Sequence, residues 1–129
     1  MEVFLGGTCA NSTWREELIP QLKIDYFNPV VDDWNEEAYE LELKKRETCD
    51  FMLYVLTPLM EGVYSIAEVV DDSNKRPEKT IFCVLEEDND KEWTKNQRKS
   101  LTAVEKMVAN NEATVVKFDE IADVLNSLS

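Results

Sequence analysis

The chain has 129 residues, of which 27 are Asp or Glu, 14 are Lys or Arg and none is His, so its net charge is −13. That length predicts one domain over 1–129, and that charge counts against a nucleic-acid polymer or an anionic membrane surface as partner. With no histidine, Ser-His-Asp and Cys-His catalysis and a His-ligated zinc site are excluded.

Residues 2–5 form a short apolar run closed by Gly6-Gly7, the pattern of a strand entering a tight turn. Thr13 and Glu16 have capping-box spacing, so a helix is predicted over 13–23, shortened or kinked by Pro20. Residues 24–27 read as a second strand, stopped by Asn28-Pro29. Residues 35–48, rich in Glu, Lys and Leu and free of Gly and Pro, predict a second helix. Residues 50–56 are almost wholly apolar, as in a strand covered on both faces. A third helix is predicted over 62–74, with Val63, Ile66, Ala67 and Val70 as its buried stripe. Residues 79–85 predict a fourth strand, 91–110 a long helix, 113–118 a fifth strand, and Asp119 caps a last helix to 128.

Strands alternating with helices predict an α/β fold. It is a doubly wound, flavodoxin-like or Rossmann-like three-layer sandwich around a five-stranded parallel sheet of order 2-1-3-4-5. In such a sheet the ligand sits beyond the carboxyl ends of strands one and three, where the winding reverses. That rule selects Gly6, Gly7 and Thr8 after strand one, Asn28 and Asp32 after strand two, and Thr57, Glu61 and Gly62 after strand three. The glycines belong to no GxGxxG or P-loop pattern. Arg15, in the first turn of the first helix, is a candidate for a substrate phosphate, or else pairs with a nearby Glu.

Glu61, Tyr64 and Glu68 fall on one flank of the third helix, off its apolar stripe. A plain reading makes that flank a solvated face. The chemical reading makes the carboxylates a nucleophile and an acid/base, with the Tyr64 hydroxyl orienting Glu68. A carboxylate nucleophile suits attack at an anomeric carbon. Cys9, Cys49 and Cys83 are few and far apart, form no CxxC pair, and suit free thiols in a reducing compartment. With no leader-like start and no apolar run near ~20 residues, a cytoplasmic protein is expected, with no metal and no cofactor.

The run Met60-Glu-Gly-Val-Tyr-Ser-Ile-Ala-Glu68-Val-Val, the following Asn74-Lys-Arg-Pro77, and the strand beginning Lys79-Thr-Ile-Phe-Cys resemble the nucleoside 2-deoxyribosyltransferase-like family, in its bacterial and phage branch. Val3-Phe-Leu-Gly-Gly-Thr8, Ser12-Thr-Trp-Arg15 and Phe27-Asn28-Pro29 extend the resemblance, which spans residues 2–86. It implies cleavage or transfer at the N-glycosidic bond of a deoxynucleoside. A glutamate matched by Glu68 forms a covalent deoxyribosyl ester, and the Gly6-Gly7 loop lines the pocket. It also matches Asp50 to a common acidic position, and it implies a homo-oligomer, for which the apolar side of helix 91–110 (Val104, Met107, Val108) is a candidate interface. The chain departs from the pattern at Phe4, where the family carries tyrosine, and at Gly62, where it carries aspartate, with Glu61 adjacent. The partner is then a small nucleoside or nucleotide. The alternative is a non-catalytic nucleoside- or nucleotide-binding module on the same fold.

Overall fold

The computed structural model describes residues 1–128. Its main sheet contains β1 (Glu2–Gly7), β2 (Asp25–Phe27), β3 (Phe51–Leu56), β4 (Thr80–Val84) and β7 (Thr114–Val115), all parallel, in the order β2-β1-β3-β4-β7. Helices α1 (Trp14–Leu18), α2 (Glu36–Thr48), α3 (Tyr64–Lys75), α4 (Lys95–Asn110) and α5 (Ile121–Leu128) flank it. This is the expected flavodoxin-like three-layer arrangement; the predicted fifth strand is the seventh in chain order because an antiparallel hairpin, β5 (Glu87–Asp88) with β6 (Lys91–Glu92), precedes it. The expected single domain runs to Ser129, which lies outside the described residues.

Successive strand residues point to opposite faces, so one sheet feeds two cores. Val3, Leu5, Leu53, Val55, Ile81 and Cys83 pack with Trp14 and Leu18 of α1 and Ile121 and Leu125 of α5. Phe4, Met52, Tyr54, Leu56 and Phe82 pack with Val69 of α3 and Leu101 and Val108 of α4. Every residue of β3 is buried, as its run of apolar side chains predicts. No described helix is long and apolar enough to cross a membrane.

Several local expectations are corrected. Thr13 precedes α1 but makes no side-chain capping bond, because its backbone, at φ −106 and ψ 14, is not in the extended conformation of a capping residue; α1 has only five residues before Pro20 draws the chain into a 3₁₀ turn over Ile19–Gln21. Helix α4 begins at Lys95, not 91. Asn89 and Asp90 adopt positive φ and turn the β5–β6 hairpin first, and the capping box belongs to Thr94 and Gln97. The last helix is preceded by a 3₁₀ turn over Phe118–Glu120, so Asp119 is not its cap. On α4, Val108 is fully buried and Val104 half-buried against the sheet, which leaves Met107 alone exposed on the expected interface side. Asp50 lies at the amino end of the sheet, where its Oδ2 accepts the Glu2 N–H at 2.8 Å.

On α3 the buried residues are Glu68, Val69, Asp72 and Ser73. Val63 lies outside the helix and is exposed, Ala67 is exposed, and Ile66 and Val70 are half-buried. The apolar stripe is rotated away because α3 turns two carboxylates, one helical turn apart, toward an arginine of α2.

Gly7 has φ +118, and a Cβ there would stand 2.0 Å from the Val55 carbonyl oxygen; around Gly62 nothing lies within 4 Å of such an atom. Gly7→Ala should therefore lower unfolding free energy by more than ~2 kcal/mol in urea titration, whereas Gly62→Ala should stay within ~0.5 kcal/mol. Equal effects at the two positions would contradict this account of the turn.

Candidate active site

The end of β1 is built to bring backbone, not side chains, to a crevice. A Cβ on Gly6 would lie 2.6 Å from Cε1 of Tyr54 and 2.9 Å from Cε1 of Phe4, so only glycine lets the strand pass beneath those rings. Thr8 is buried; its N–H donates to the Val55 carbonyl at 2.9 Å, and its Oγ1 accepts the Thr57 N–H at 2.9 Å. These bonds lock the loops after β1 and β3 together.

Beyond Phe4, which pairs with Phe27, β1 has left its neighbour β2 behind. Arg15 serves the carbonyls found there. Its buried guanidinium donates to Leu5 O at 3.0 and 2.8 Å and to Thr8 O at 2.7 Å, and stacks over the Trp14 ring at 4.3 Å. Trp14 Nε1 also donates to Thr8 O, at 2.9 Å. Arg15 thus lines the crevice, but its donors face the backbone. It is neither a free phosphate ligand nor a surface partner of a glutamate, which corrects both expectations for it.

Across the crevice lies a buried charge network. Tyr54 of β3 donates its hydroxyl to Asp72 of α3. Arg46 of α2 holds Asp72 through Nε–Oδ2 and Nη2–Oδ1, each 3.1 Å, and reaches Asp71 Oδ2 at 2.7 Å. Arg76 completes the grip on Asp72 from the end of α3. Burial first, and then Asp72, pushes the Tyr54 pKa far up, so its hydroxyl stays a donor.

Glu68 stands at the edge of that network. It is 6% exposed, and its Oε2 lies 3.9 Å from Arg46 Nη1. That oxygen is enclosed and has no hydrogen-bond partner among the described residues. Burial, and then the neighbouring Glu42 carboxylate, pushes the Glu68 pKa up to about 7; Arg46 opposes the rise and Asp72 adds to it. A buried carboxylate with an unpartnered oxygen is costly to a fold, and such groups concentrate where chemistry is done.

Glu68 opens into a cavity of about 380 Å³. Gly6, Gly7, Thr8 and Arg15 form one side of it; Glu61, Gly62, Tyr64 and Ser65 form another. Trp34 and Glu42, together with Val30 and Val31, line the rest. The Trp34 indole donates to Glu42 Oε1 at 3.1 Å. Its ring meets Tyr39 edge-on with centroids 5.4 Å apart, and Tyr39 lies 6.3 Å from Tyr64, so an aromatic row borders the mouth.

Of the residues singled out from sequence, Gly6, Gly7, Thr8, Arg15, Glu61, Gly62, Tyr64 and Glu68 all line this cavity. Asn28 and Asp32 do not: both are exposed, and Asn28 Oδ1 accepts its own chain's Val30 N–H at 3.1 Å, so Val30 and Val31 take the lining positions instead. Glu61 lines the rim and is exposed. No hydrogen bond joins Tyr64 to Glu68 among the described residues; the Tyr64 ring neighbours Tyr39. Sequence reasoning missed Trp34, Glu42 and Arg46. Their only signals were a lone tryptophan just after a strand stop and the one-turn spacing of Glu42 and Arg46 within a helix that otherwise reads as solvated. No group of three or more Cys, Asp or Glu side chains placed to hold a metal ion occurs among the described residues.

The raised pKa makes Glu68 a pH-dependent burden on the fold. A glutamate of ordinary pKa 4.5 in the unfolded chain has lost its proton where the folded one, near 7, keeps it. Its contribution is therefore fully present below pH 4.5 and lost as pH rises through 7. Glu68→Gln removes this titration, so the variant should gain stability relative to the parent between pH 5 and pH 8, on the order of 2–3 kcal/mol, in paired urea titrations. A difference that does not change with pH would contradict the buried-carboxylate account.

A family model described as "nucleoside 2-deoxyribosyltransferase like" matches residues 1–88, a span that contains every residue lining the cavity. Searches of curated proteins and of solved structures return no match. The matched span covers well over half of the chain and carries the sheet edge, the glycine turn and the cavity, so the chain belongs to the nucleoside 2-deoxyribosyltransferase-like family.

Proposed function

We propose that the protein cleaves the N-glycosidic bond of a 2′-deoxynucleoside, with Glu68 as the nucleophile at C1′. The observation that carries this reading is a buried Glu68, one oxygen of which has no hydrogen-bond partner among the described residues, in the wall of a cavity of nucleoside size. A purely binding module gains nothing from burying an unsatisfied carboxylate, whereas a nucleophile gains basicity from it. In the first step a Glu68 oxygen bonds to C1′ as the C1′–N bond breaks and its electron pair leaves with the base. In the second, water or another base attacks C1′ and returns the carboxylate. Arg46 holds the side chain from behind, and the aromatic row of Trp34 and Tyr64 offers the base a stacking edge.

The same geometry favours an uncharged substrate. Arg15 is the one cation lining the cavity among the described residues, and its donors are engaged by backbone carbonyls. Glu42, Glu61 and Glu68 line the same space, and the net charge of −13 repels a phosphate before it arrives.

Incubation with a panel of nucleosides and their 5′-monophosphates, with and without a free base, should release base from a 2′-deoxynucleoside, and Glu68→Gln should lower that turnover by ~10³-fold or more. The nucleoside should exceed its monophosphate in kcat/KM. Near-normal turnover in Glu68→Gln would overturn the nucleophile, and a monophosphate preference would overturn the substrate class.

We also propose that a second copy covers the cavity mouth, as the family resemblance implies. Val30, Val31, Trp34 and Val63 are exposed around it and support an apolar contact there. Light scattering should give at least twice the mass of one chain; the mass of a single chain at working concentration would contradict this.

A further inference from the structure

The features that turn a phosphate away from the cavity would draw a positive charge into it. Glu42, Glu61 and Glu68 line the space, and the net charge of −13 attracts cations to the protein from solution. Arg15, the one cation in the lining among the described residues, gives its donors to Leu5 O and Thr8 O. Arg46, 3.9 Å from Glu68, is the one ion-pair partner that the three carboxyl groups have among the described residues.

The side chains of the lining therefore offer acceptors and few uncommitted donors. An ionised carboxylate accepts hydrogen bonds and gives none. The Trp34 N–H already donates to Glu42 Oε1 at 3.1 Å, and one oxygen of Glu68, a side chain 6% exposed, has no hydrogen-bond partner among the described residues. Trp34 is more than half exposed, and the row it forms with Tyr39 and Tyr64 adds aromatic faces to the carboxylates. Such faces attract a cation through the ring quadrupole, indole most strongly. Carboxylates beside aromatic rings suit a flat ligand that carries positive charge. The lining also has nothing to hold negative charge on a departing base, because its only cation is engaged.

We infer that the cavity selects a nucleoside whose base carries a positive charge, an N-alkylated heterocycle, over the neutral base of the same shape. The inference rests on the glycosidic reading of Glu68 given above and names its substrate class. In the first step a Glu68 oxygen bonds to C1′ and the C1′–N bond breaks. Its electron pair stays with the base, which leaves as a neutral molecule, and the ester left behind is neutral too. In the second step water bonds to C1′ and releases a proton to solvent, while the C1′–O electron pair returns to Glu68 as a carboxylate. No proton has to reach the base, and no anionic base forms. Burial, followed by the Glu42 carboxylate, keeps a proton on Glu68 near neutrality; Asp72 adds to this and Arg46 opposes it. A positive charge entering the cavity also opposes it, so the substrate itself favours the attacking anion.

The test compares 1-methyl-2′-deoxyadenosine, a cation at neutral pH, with 1-methyl-2′-deoxyinosine, which is neutral and carries its methyl group in the same place. Binding is measured calorimetrically on Glu68→Gln, which keeps the cavity and lacks the attacking anion. The cation should bind ~10-fold or more tightly than its neutral counterpart. Adding Glu42→Gln should shrink that preference to within about 3-fold, and raising the salt concentration should shrink it in Glu68→Gln itself. Equal affinities, or a preference that neither Glu42→Gln nor salt reduces, would overturn the selection of charge by the cavity. The parent protein should in addition release 1-methyladenine from the cation. A binding preference without release of base would overturn the glycosidic reading and leave the selection of charge standing. Release of base without a binding preference would do the reverse, and failure to bind either nucleoside would overturn both.

Discussion

The ion pair between Arg46 and Asp72 is the constraint on which the site depends. It joins α2 to α3 beneath the crevice, and the Tyr54 hydroxyl ties the pair to the central strand. A buried pair of this kind adds little net stability over an apolar replacement, yet removing one partner strands the other and typically costs ~3–5 kcal/mol. Its use here is geometric. With Asp72 taking Nε and Nη2, the remaining Nη1 is directed to Glu68, close enough to favour its anion and too far to quench it with a hydrogen bond.

The other wall follows a different economy. Gly6, Gly7 and Thr8 carry the chain across the sheet edge with almost no side chain, and Arg15 is consumed by the carbonyls this leaves. A cation that would have drawn anions into the crevice is thereby turned inward. The cavity keeps carboxylates, aromatic rings and backbone as its chemical surface.

Burial of charge also explains why α3 defies its own pattern. Apolar spacing predicts Val63, Ile66, Ala67 and Val70 inward, but the helix turns Glu68 and Asp72 inward instead. With Arg46 already buried, leaving it without Asp72 would cost more than the one or two small apolar side chains left outside, each worth about 1–2 kcal/mol. Periodicity counts apolar residues and cannot register an arginine arriving from another helix.

The strands were legible because their signal is local. Phe51–Leu56 is apolar on both faces whatever surrounds it, and a run of that kind belongs inside a parallel sheet. The order of strands then followed from chain alternation, and it brought Gly6, Gly7, Thr8 and Glu68 to one edge. Glu42, Arg46 and Trp34 were not legible, since each lies on a segment that reads as solvated and takes its role from partners on α3, 22 or more residues from Arg46, or from the cavity itself. Asn28 and Asp32 were placed at the correct edge but wrongly in the site, because Asn28 closes a turn on its own backbone. By itself, then, the sequence determined the layers and the sheet order, which depend on spacing along the chain, whereas the carboxylate at position 68 was singled out by the family resemblance. Only the tertiary structure decided which charges face that carboxylate and which are turned away, because a side chain's protonation and reach depend on neighbours that spacing cannot name.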